Sequence, residues 1–486
     1  MEDVVSTISR KANLRVVMVP SPGRGHLIPF VELSKRLLLR HNFAITILIP
    51  DNGSDMIPQR QFLQSLNLPP TISPLYLPPV SLSDLPSDAD SITRVPLTVI
   101  RSLPAIRDAI INLQHSGEGL CGRVVAVVVD FLGADALQVA TQLQIPPYVF
   151  YTCSAFHLTL GLNAPQLLHP THQEDSTKLL KLPGCIPLLG ADLPEPYIDK
   201  KKDAYKWMVH SHERISSDAV GIIINSFVDL ESDIFKALTE ERFRTGSGPT
   251  VYPIGPLKRL DSDEDLNQFS NESIDCLEWL DKQPESSVLL ISFGSGIGAR
   301  QSKAQFDELA HGLAMSGKRF IWVVKPPGND VVPWNSSFLP EGFLKKTKGV
   351  GLVIPDWVPQ IRILSHGSTG GFMSHCGWNS SLESITNGVP VLAWPQHADQ
   401  KMNAALLVED AKVALRVDQS SGEDGIVGRE EIARYVKAVL DGDEAKLLRK
   451  KMRELKVAAN NATGNDGSST KSLDEVANLW KNQNPY

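Results

Sequence analysis

The chain has 486 residues, with 48 Lys plus Arg against 55 Asp plus Glu and a net charge of −7. At about 100–200 residues per domain, that length predicts two to four domains, each able to bury its own core. A mildly acidic balance excludes the basic footprint that nucleic acid requires, and 42% hydrophobic residues exclude a disordered chain.

The N-terminal segment places Glu2 and Asp3 where a secretion signal carries positive charge, and it lacks that signal's apolar core. The densest apolar run, Val124–Val129, is too short to cross a bilayer. Five scattered cysteines (Cys121, Cys153, Cys185, Cys276 and Cys376) form no CxxC pair and read as reduced thiols without a zinc site. Together these features predict a cytoplasmic protein without membrane insertion.

The first predicted strand, Val16–Val19, runs into Pro20-Ser-Pro-Gly-Arg-Gly-His26 and then a helix over Phe30–Leu39. The turn is Gly-rich but lacks the third Gly of a dinucleotide fingerprint, because Ile28 stands there. His26 ends the turn, and an imidazole there can take a proton from a substrate hydroxyl. A His after a Gly turn can equally be a plain surface residue. Further strands are expected at Ala44–Ile49, Val124–Val129, Tyr148–Tyr151 and Gly221–Ile224. The run Val124–Val129 ends in Asp130, which can orient His26 through its far ring nitrogen or can cap a helix over Leu132–Leu137. The sequence leaves both roles open.

Residues 246–273 lack periodicity and are rich in Gly, Pro and acidic residues, as a surface linker is. Beyond them, strands are expected at Val288–Phe293, Phe320–Val324, Gly351–Ile354, Gly371–Met373 and Val389–Ala393, with helices at Lys303–Met315 and Lys401–Ala411. Uninterrupted apolar runs alternating with helices predict α/β architecture: two doubly wound, Rossmann-like domains with parallel sheets and a cleft between them. Ligands in such sheets bind beyond the carboxyl ends of the strands.

The densest constellation is Trp357–Gln400. His375-Cys-Gly-Trp-Asn-Ser-Ser opens a helix whose N-terminus suits a phosphate, with His375 as a further donor. Glu383 on that helix suits a ribose diol, and Trp357 offers a flat face to a base. Asp399 and Gln400 pair a carboxylate with an amide, as recognition of sugar hydroxyls requires. This stretch closely resembles the signature box of plant UDP-dependent glycosyltransferases. PSPGRGH, VVVDFLGADA and the SFGSG loop at Ser292–Gly296 extend the resemblance along the whole chain.

The resemblance implies the GT-B fold, two facing Rossmann-like domains around an interdomain cleft. It divides the chain into an acceptor-binding domain (1–255), a linker (256–273), a UDP-sugar domain (274–471) and a C-terminal helix crossing back to the first domain (472–486). It assigns His26 as general base and Asp130 as its partner. Trp357 would stack on uracil with Val358 and Gln360 nearby. Ser295, His375, Asn379 and Ser380 would contact the diphosphate, and Glu383 the ribose. Trp378, Asp399 and Gln400 would hold the sugar, and Thr152 would touch sugar or phosphate. Pro22, Phe131, Leu132 and Phe156 would wall an aromatic acceptor, although Phe156 fits a core position equally well.

The implied enzyme is an inverting, metal-independent glucosyltransferase with UDP-glucose as co-substrate and no cofactor, acting as a monomer. Small phenols of the hydroquinone, monolignol or indoxyl type are the expected acceptors, with flavonoids and other larger plant aglycones as the alternative. A non-catalytic nucleotide-sugar binding protein would keep the box without needing His26 and Asp130. An oxidoreductase would want an acidic end to its second strand, which Asp51 only partly supplies. An epimerase would want a helical Tyr-x-x-x-Lys, and the spacing Tyr197 to Lys201 falls just after two prolines.

Overall fold

Strands joined by helices come out parallel, because each right-handed crossover returns the chain to the same end of the sheet. The computed structural model describes residues 14–53, 57–86, 89–115, 122–167, 177–245, 248–258, 271–294, 301–327, 334–355, 357–419 and 425–482. The chain forms two compact units. Unit 1 comprises Met1–Ala191, Glu195–Lys258 and Asn461–Tyr486, and unit 2 comprises Asp192–Pro194 and Arg259–Asn460.

Unit 1 contains β1 (Leu14–Val19), β2 (Ala44–Asp51), β3 (Ile72–Pro79), β4 (Arg123–Asp130) and β5 (Pro147–Tyr151). A short ribbon, β6 (Leu179–Leu180) with β7 (Leu188–Leu189), precedes β8 (Gly221–Ile224) and β9 (Thr250–Pro253). Apart from the ribbon, these strands make a seven-stranded parallel sheet in the order β3-β2-β1-β4-β5-β8-β9. The order reverses direction between β1 and β4, so the crevice for a ligand opens at the carboxyl ends of those two strands. His26 follows β1, and Asp130 ends β4.

Unit 2 contains β10 (Val288–Ser292), β11 (Arg319–Val324), β12 (Gly351–Pro355), β13 (Thr369–Ser374), β14 (Val391–Ala393) and β15 (Ala414–Arg416). Its parallel sheet has the order β12-β11-β10-β13-β14-β15, with the switch between β10 and β13. Both faces are covered: Leu289 and Ile291 point into one apolar cluster, Val288 and Leu290 into another. Two buried faces explain why the strands read as continuous apolar runs rather than alternations.

Besides the β6–β7 ribbon, three strands of the two parallel sheets were not expected, and all three are sheet edges. Thr250–Pro253 lies within the stretch read as aperiodic linker, yet it pairs along β8. Ile72–Pro79 carries Pro74, Pro78 and Pro79, which an edge strand tolerates because part of its N–H row needs no partner. Ala414–Arg416 is three residues long. Within the expected linker, residues 259–270 lie outside the described residues, and a helix, Asn271–Asp281, already begins before its end.

The helix Ser468–Lys481 packs in unit 1, where Leu473, Val476, Ala477 and Trp480 join the core. Trp480 is fully buried, edge-on to Tyr148 at 5.3 Å and to Phe43 at 5.8 Å. Among the described residues, no helix is long and apolar enough to cross a membrane. The four described cysteines, Cys153, Cys185, Cys276 and Cys376, are free, and Cys121 lies outside the described residues.

Candidate functional site

The carboxyl end of β1 turns sharply because Gly23 adopts φ 129°, a conformation that costs a residue with a Cβ, and the helix Arg24–His41 starts directly after it. That turn puts His26 in the first helical turn, beside the end of β4. His26 Nδ1 lies 2.9 Å from Asp130 Oδ2. The His26 side chain is 25% exposed and that of Asp130 is wholly buried, so the ring bridges solvent and a buried carboxylate.

Asp130 fills both roles that the sequence left open. Its Oδ1 accepts the Leu132 N–H at 3.0 Å as a helix cap and the Ser21 hydroxyl at 2.8 Å. Its Oδ2 is directed at His26. A carboxylate oxygen only accepts, so Nδ1 carries the proton and Nε2 is left as a bare lone pair, the form a general base needs. Thr152 Oγ1 lies 3.3 Å from His26 Nδ1 and 3.5 Å from Asp130 Oδ2. Thr152, expected among the donor residues, is thus placed with the histidine–aspartate pair, because β5 runs alongside β4.

In Asp130→Asn one of these oxygens becomes an amide. Turned toward His26, its NH2 donates to Nδ1 and moves the ring proton to Nε2. A loss of about 10²–10⁴ in kcat/KM is the expected result, measured on an acceptor with a non-acidic hydroxyl.

Of the residues expected to wall the acceptor, Pro22 is partly exposed, whereas Phe131 and Leu132 are buried and Phe156 is completely so. Phe131 lies 5.8 Å from the His26 ring, centroid to centroid. Phe156 is the second residue of the helix Ala155–Leu167, whose first N–H groups are taken by Glu231, a buried carboxylate 3.0 Å from Ala155 N and 2.7 Å from Phe156 N. That helix end is therefore occupied by the protein itself. The helix faces a buried triad: Tyr151 Oη lies 2.7 Å from His157 Nδ1 and 2.8 Å from His212 Nε2. Burial lowers the pKa of His157 to about 3 and of His212 to about 4, so both rings are neutral. His212 fits because residue 161 is Gly; a Cβ there would stand 2.0 Å from its Nε2.

In unit 2, the turn after β12 carries Trp357, half-buried, then Val358, buried, and Gln360, which starts the helix Gln360–Ser365. Gln360 Nε2 donates to Glu383 Oε2 at 2.6 Å and to Ser380 Oγ at 3.2 Å. The residues expected to hold uracil, phosphate and ribose therefore meet in one hydrogen-bonded group. β13 ends at Ser374, and the turn His375-Cys376-Gly377 leads into the helix Trp378–Asn387.

Gly377, rather than Asn379 or a serine, is the N-cap, and it makes no side-chain cap. Ser381 N bonds Gly377 O and so opens the helical ladder; the N–H groups of Trp378, Asn379 and Ser380 come before it, at the end of the helix that favours an anion. His375 packs over Gly294, where a Cβ would stand 2.6 Å from its Nε2. Its Nδ1 is buried without a partner, and burial lowers its pKa to about 4. Ser295 lies outside the described residues.

Trp378 is buried, and so is Gln400. Gln400 Oε1 accepts the N–H groups of Gln396 and His397 at 2.9 and 3.0 Å, so its carbonyl shapes the loop; its Nε2 lies 3.4 Å from His397 Nε2, which leaves one amide hydrogen for a ligand. Asp399 Oδ2 accepts from Asn403 Nδ2 at 2.9 Å, and the same nitrogen donates to Cys376 O at 3.0 Å. Asn403 thus ties the Asp399 loop to the turn before the anion-seating helix. Ser21, Glu231 and Asn403 escaped the sequence reading. The first follows a strand end, whereas Glu231 stands just before the helix Ser232–Thr245 and Asn403 on the helix Gln400–Ala405, neither within a local motif. Asp51, the partial match to a dinucleotide site, is held by Arg60 and by the Gly53 N–H. Tyr197 lies in a 3-10 turn, Glu195–Tyr197, rather than in a helix with Lys201. Among the described residues, no three His, Cys, Asp or Glu side chains gather as a metal-ion set.

The family model described as "UDP-glucoronosyl and UDP-glucosyl transferase" matches residues 233–446. A hydroquinone glucosyltransferase of Rauvolfia serpentina is 48% identical over 480 residues, covering 96% of this chain and 98% of its own. UDP-glycosyltransferase 72B3 of Arabidopsis thaliana is also 48% identical, covering 96% and 95%. Among solved structures, a Polygonum tinctorium UDP-glucosyltransferase capable of glucosylating indoxyl superposes with a TM-score of 0.87. It shares 44% identity, covering 98% of this chain and 100% of its own.

Proposed function

The chain belongs to the UDP-glucoronosyl and UDP-glucosyl transferase family, with the GT-B fold, and from that premise we propose that it moves glucose from UDP-glucose to the hydroxyl of a small aromatic acceptor, with inversion. The observation that carries this reading is the orientation of His26: Nδ1–H is held by the buried Asp130, which leaves the proton-accepting lone pair on Nε2 of a side chain 25% exposed. The relatives named for hydroquinone and indoxyl support a flat phenolic acceptor, and the aromatic ring of Phe131 beside His26 suits one.

Unit 1 holds the acceptor and its base, and unit 2 holds the donor. The acceptor oxygen attacks the anomeric carbon on the face opposite UDP while Nε2 removes its proton. The bond from that carbon to the β-phosphate oxygen breaks, so an α-linked donor gives a β-glucoside, UDP and one proton. The N-terminus of the helix Trp378–Asn387 meets the charge growing on the leaving oxygen, a load that peaks in the transition state. Glu383, set by Gln360, receives the ribose diol, and Trp357 the uracil face. The remaining amide hydrogen of Gln400 and the Asp399 carboxylate contact the glucose.

Because helix N–H groups take the leaving charge, the reaction runs without a metal or other cofactor. Free cysteines suit a reducing compartment, and we place the enzyme in the cytoplasm as a monomer.

The test is incubation with UDP-glucose and hydroquinone, with and without EDTA, followed by detection of UDP and assignment of the anomer by NMR. Equal amounts of UDP and β-glucoside in both samples are expected. An α-glucoside, or UDP release without glucoside, overturns the reading.

A further inference from the structure

The triad behind Phe131 has a readable proton order. His212 Nδ1 lies 2.8 Å from the Met208 carbonyl, which only accepts, so Nδ1 carries that ring's proton and Nε2 is bare. Tyr151 therefore donates its hydroxyl proton to His212 Nε2, and its oxygen accepts from His157 Nδ1. With its single proton on Nδ1, neutral His157 has a bare Nε2 on the opposite edge of its ring. Tyr197 packs edge-on against that ring, 6.3 Å between centroids, and its hydroxyl is wholly buried with no hydrogen-bond partner. Buried hydroxyls are nearly always bonded, so this one points to a partner that arrives. A bare acceptor and an idle hydroxyl on neighbouring rings are together complementary to a group that both donates and accepts, of which a second hydroxyl is the simplest: it can donate to the nitrogen and accept from the phenol. A carboxylate would bring no proton for the nitrogen, and a cation no acceptor for the phenol.

The location agrees. Phe131 neighbours both the His26 ring and the His157 ring, with centroid separations of 5.8 and 5.9 Å. The Tyr197–His157 pair is thus linked to the base through one shared aromatic ring, and β5 leads from Tyr151 directly into Thr152 beside His26. We infer that Tyr197 and His157 form a second subsite that receives a hydroxyl at the far end of the acceptor from the reacting one. The inference rests on the phenolic-acceptor reading and narrows it to acceptors with a distal hydroxyl. Tyr197 and His157 are here positioning residues.

The experiment compares 4-hydroxycinnamyl alcohol with 4-propenylphenol, which differ only in the distal hydroxyl, on wild-type enzyme and on Tyr197→Phe. Wild type is expected to show a KM about 3- to 10-fold lower for the alcohol, the worth of one net hydrogen bond, and Tyr197→Phe to lose that preference with kcat unchanged. The Tm of Tyr197→Phe is expected to match or exceed wild type, because the phenol has no partner in the free chain. A hydroxyl needed only for folding would lower Tm and leave the KM ratio alone. The same ratio in both enzymes overturns the subsite while leaving the phenolic reading intact. No transfer by wild type to either compound overturns both.

Discussion

His26→Ala is expected to lower kcat on an alkyl alcohol acceptor by about 10²–10⁴, the usual contribution of a positioned general base, while UDP-glucose binding is retained. An alkyl hydroxyl scarcely ionises at neutral pH, so almost all of its nucleophilicity comes from proton removal during attack. A phenol, with a pKa of about 10, is partly activated by its own acidity, and the loss on a phenol is expected to be smaller. Steady-state kinetics on matched alkyl and aryl acceptors read the difference. Near-normal turnover of the alkyl alcohol by the variant would remove His26 from the chemistry. The Asp130 geometry requires this sensitivity, since it commits Nδ1 to the buried carboxylate and leaves Nε2 as the only basic edge.

Glu383→Ala is expected to act on the other substrate. Gln360 fixes Glu383 at 2.6 Å and also reaches Ser380, so the carboxylate is set before the donor arrives. Hydrogen bonds to a charged group contribute about 1.5–3 kcal/mol, which predicts a rise of about 10–100-fold in KM for UDP-glucose. The KM of the acceptor should stay put, and inhibition by UDP should weaken in parallel. Glu383→Gln keeps an acceptor oxygen and should fall between. An unchanged donor KM would mean that the ribose lies elsewhere.

Much of this was legible in the chain. Strands buried on both faces announce themselves as unbroken apolar runs, and Val124–Val129 needs no partner information to be recognised. Edges do not: Thr250–Pro253, Ile72–Pro79 and Ala414–Arg416 have a neighbour on one side only, so their sequences escape the pressure to be apolar throughout. At the site, residues that end a strand were visible from position alone, His26 after β1 and Asp130 at the end of β4. How each atom is used was not visible. Whether Asp130 caps or orients depends on which oxygen faces which neighbour, and that the Gln400 carbonyl is bound to the Gln396 and His397 backbone could not be read from the sequence. The Tyr151–His157–His212 triad joins residues 61 positions apart, and only the packing of one helix on another brings them together.

The return of Ser468–Lys481 to unit 1 also sets an order of events during synthesis. Unit 1 is translated first, yet its core lacks Trp480 until unit 2 has been made. At about 5–20 residues per second, the stretch from Lys258 to Asn461 takes about 10–40 s. During that interval Phe43 and Tyr148, which Trp480 later covers, lack their cap on the ribosome. Unit 2, by contrast, has nearly all its residues in one run and can close as soon as they emerge. The half that begins first is the half that finishes last.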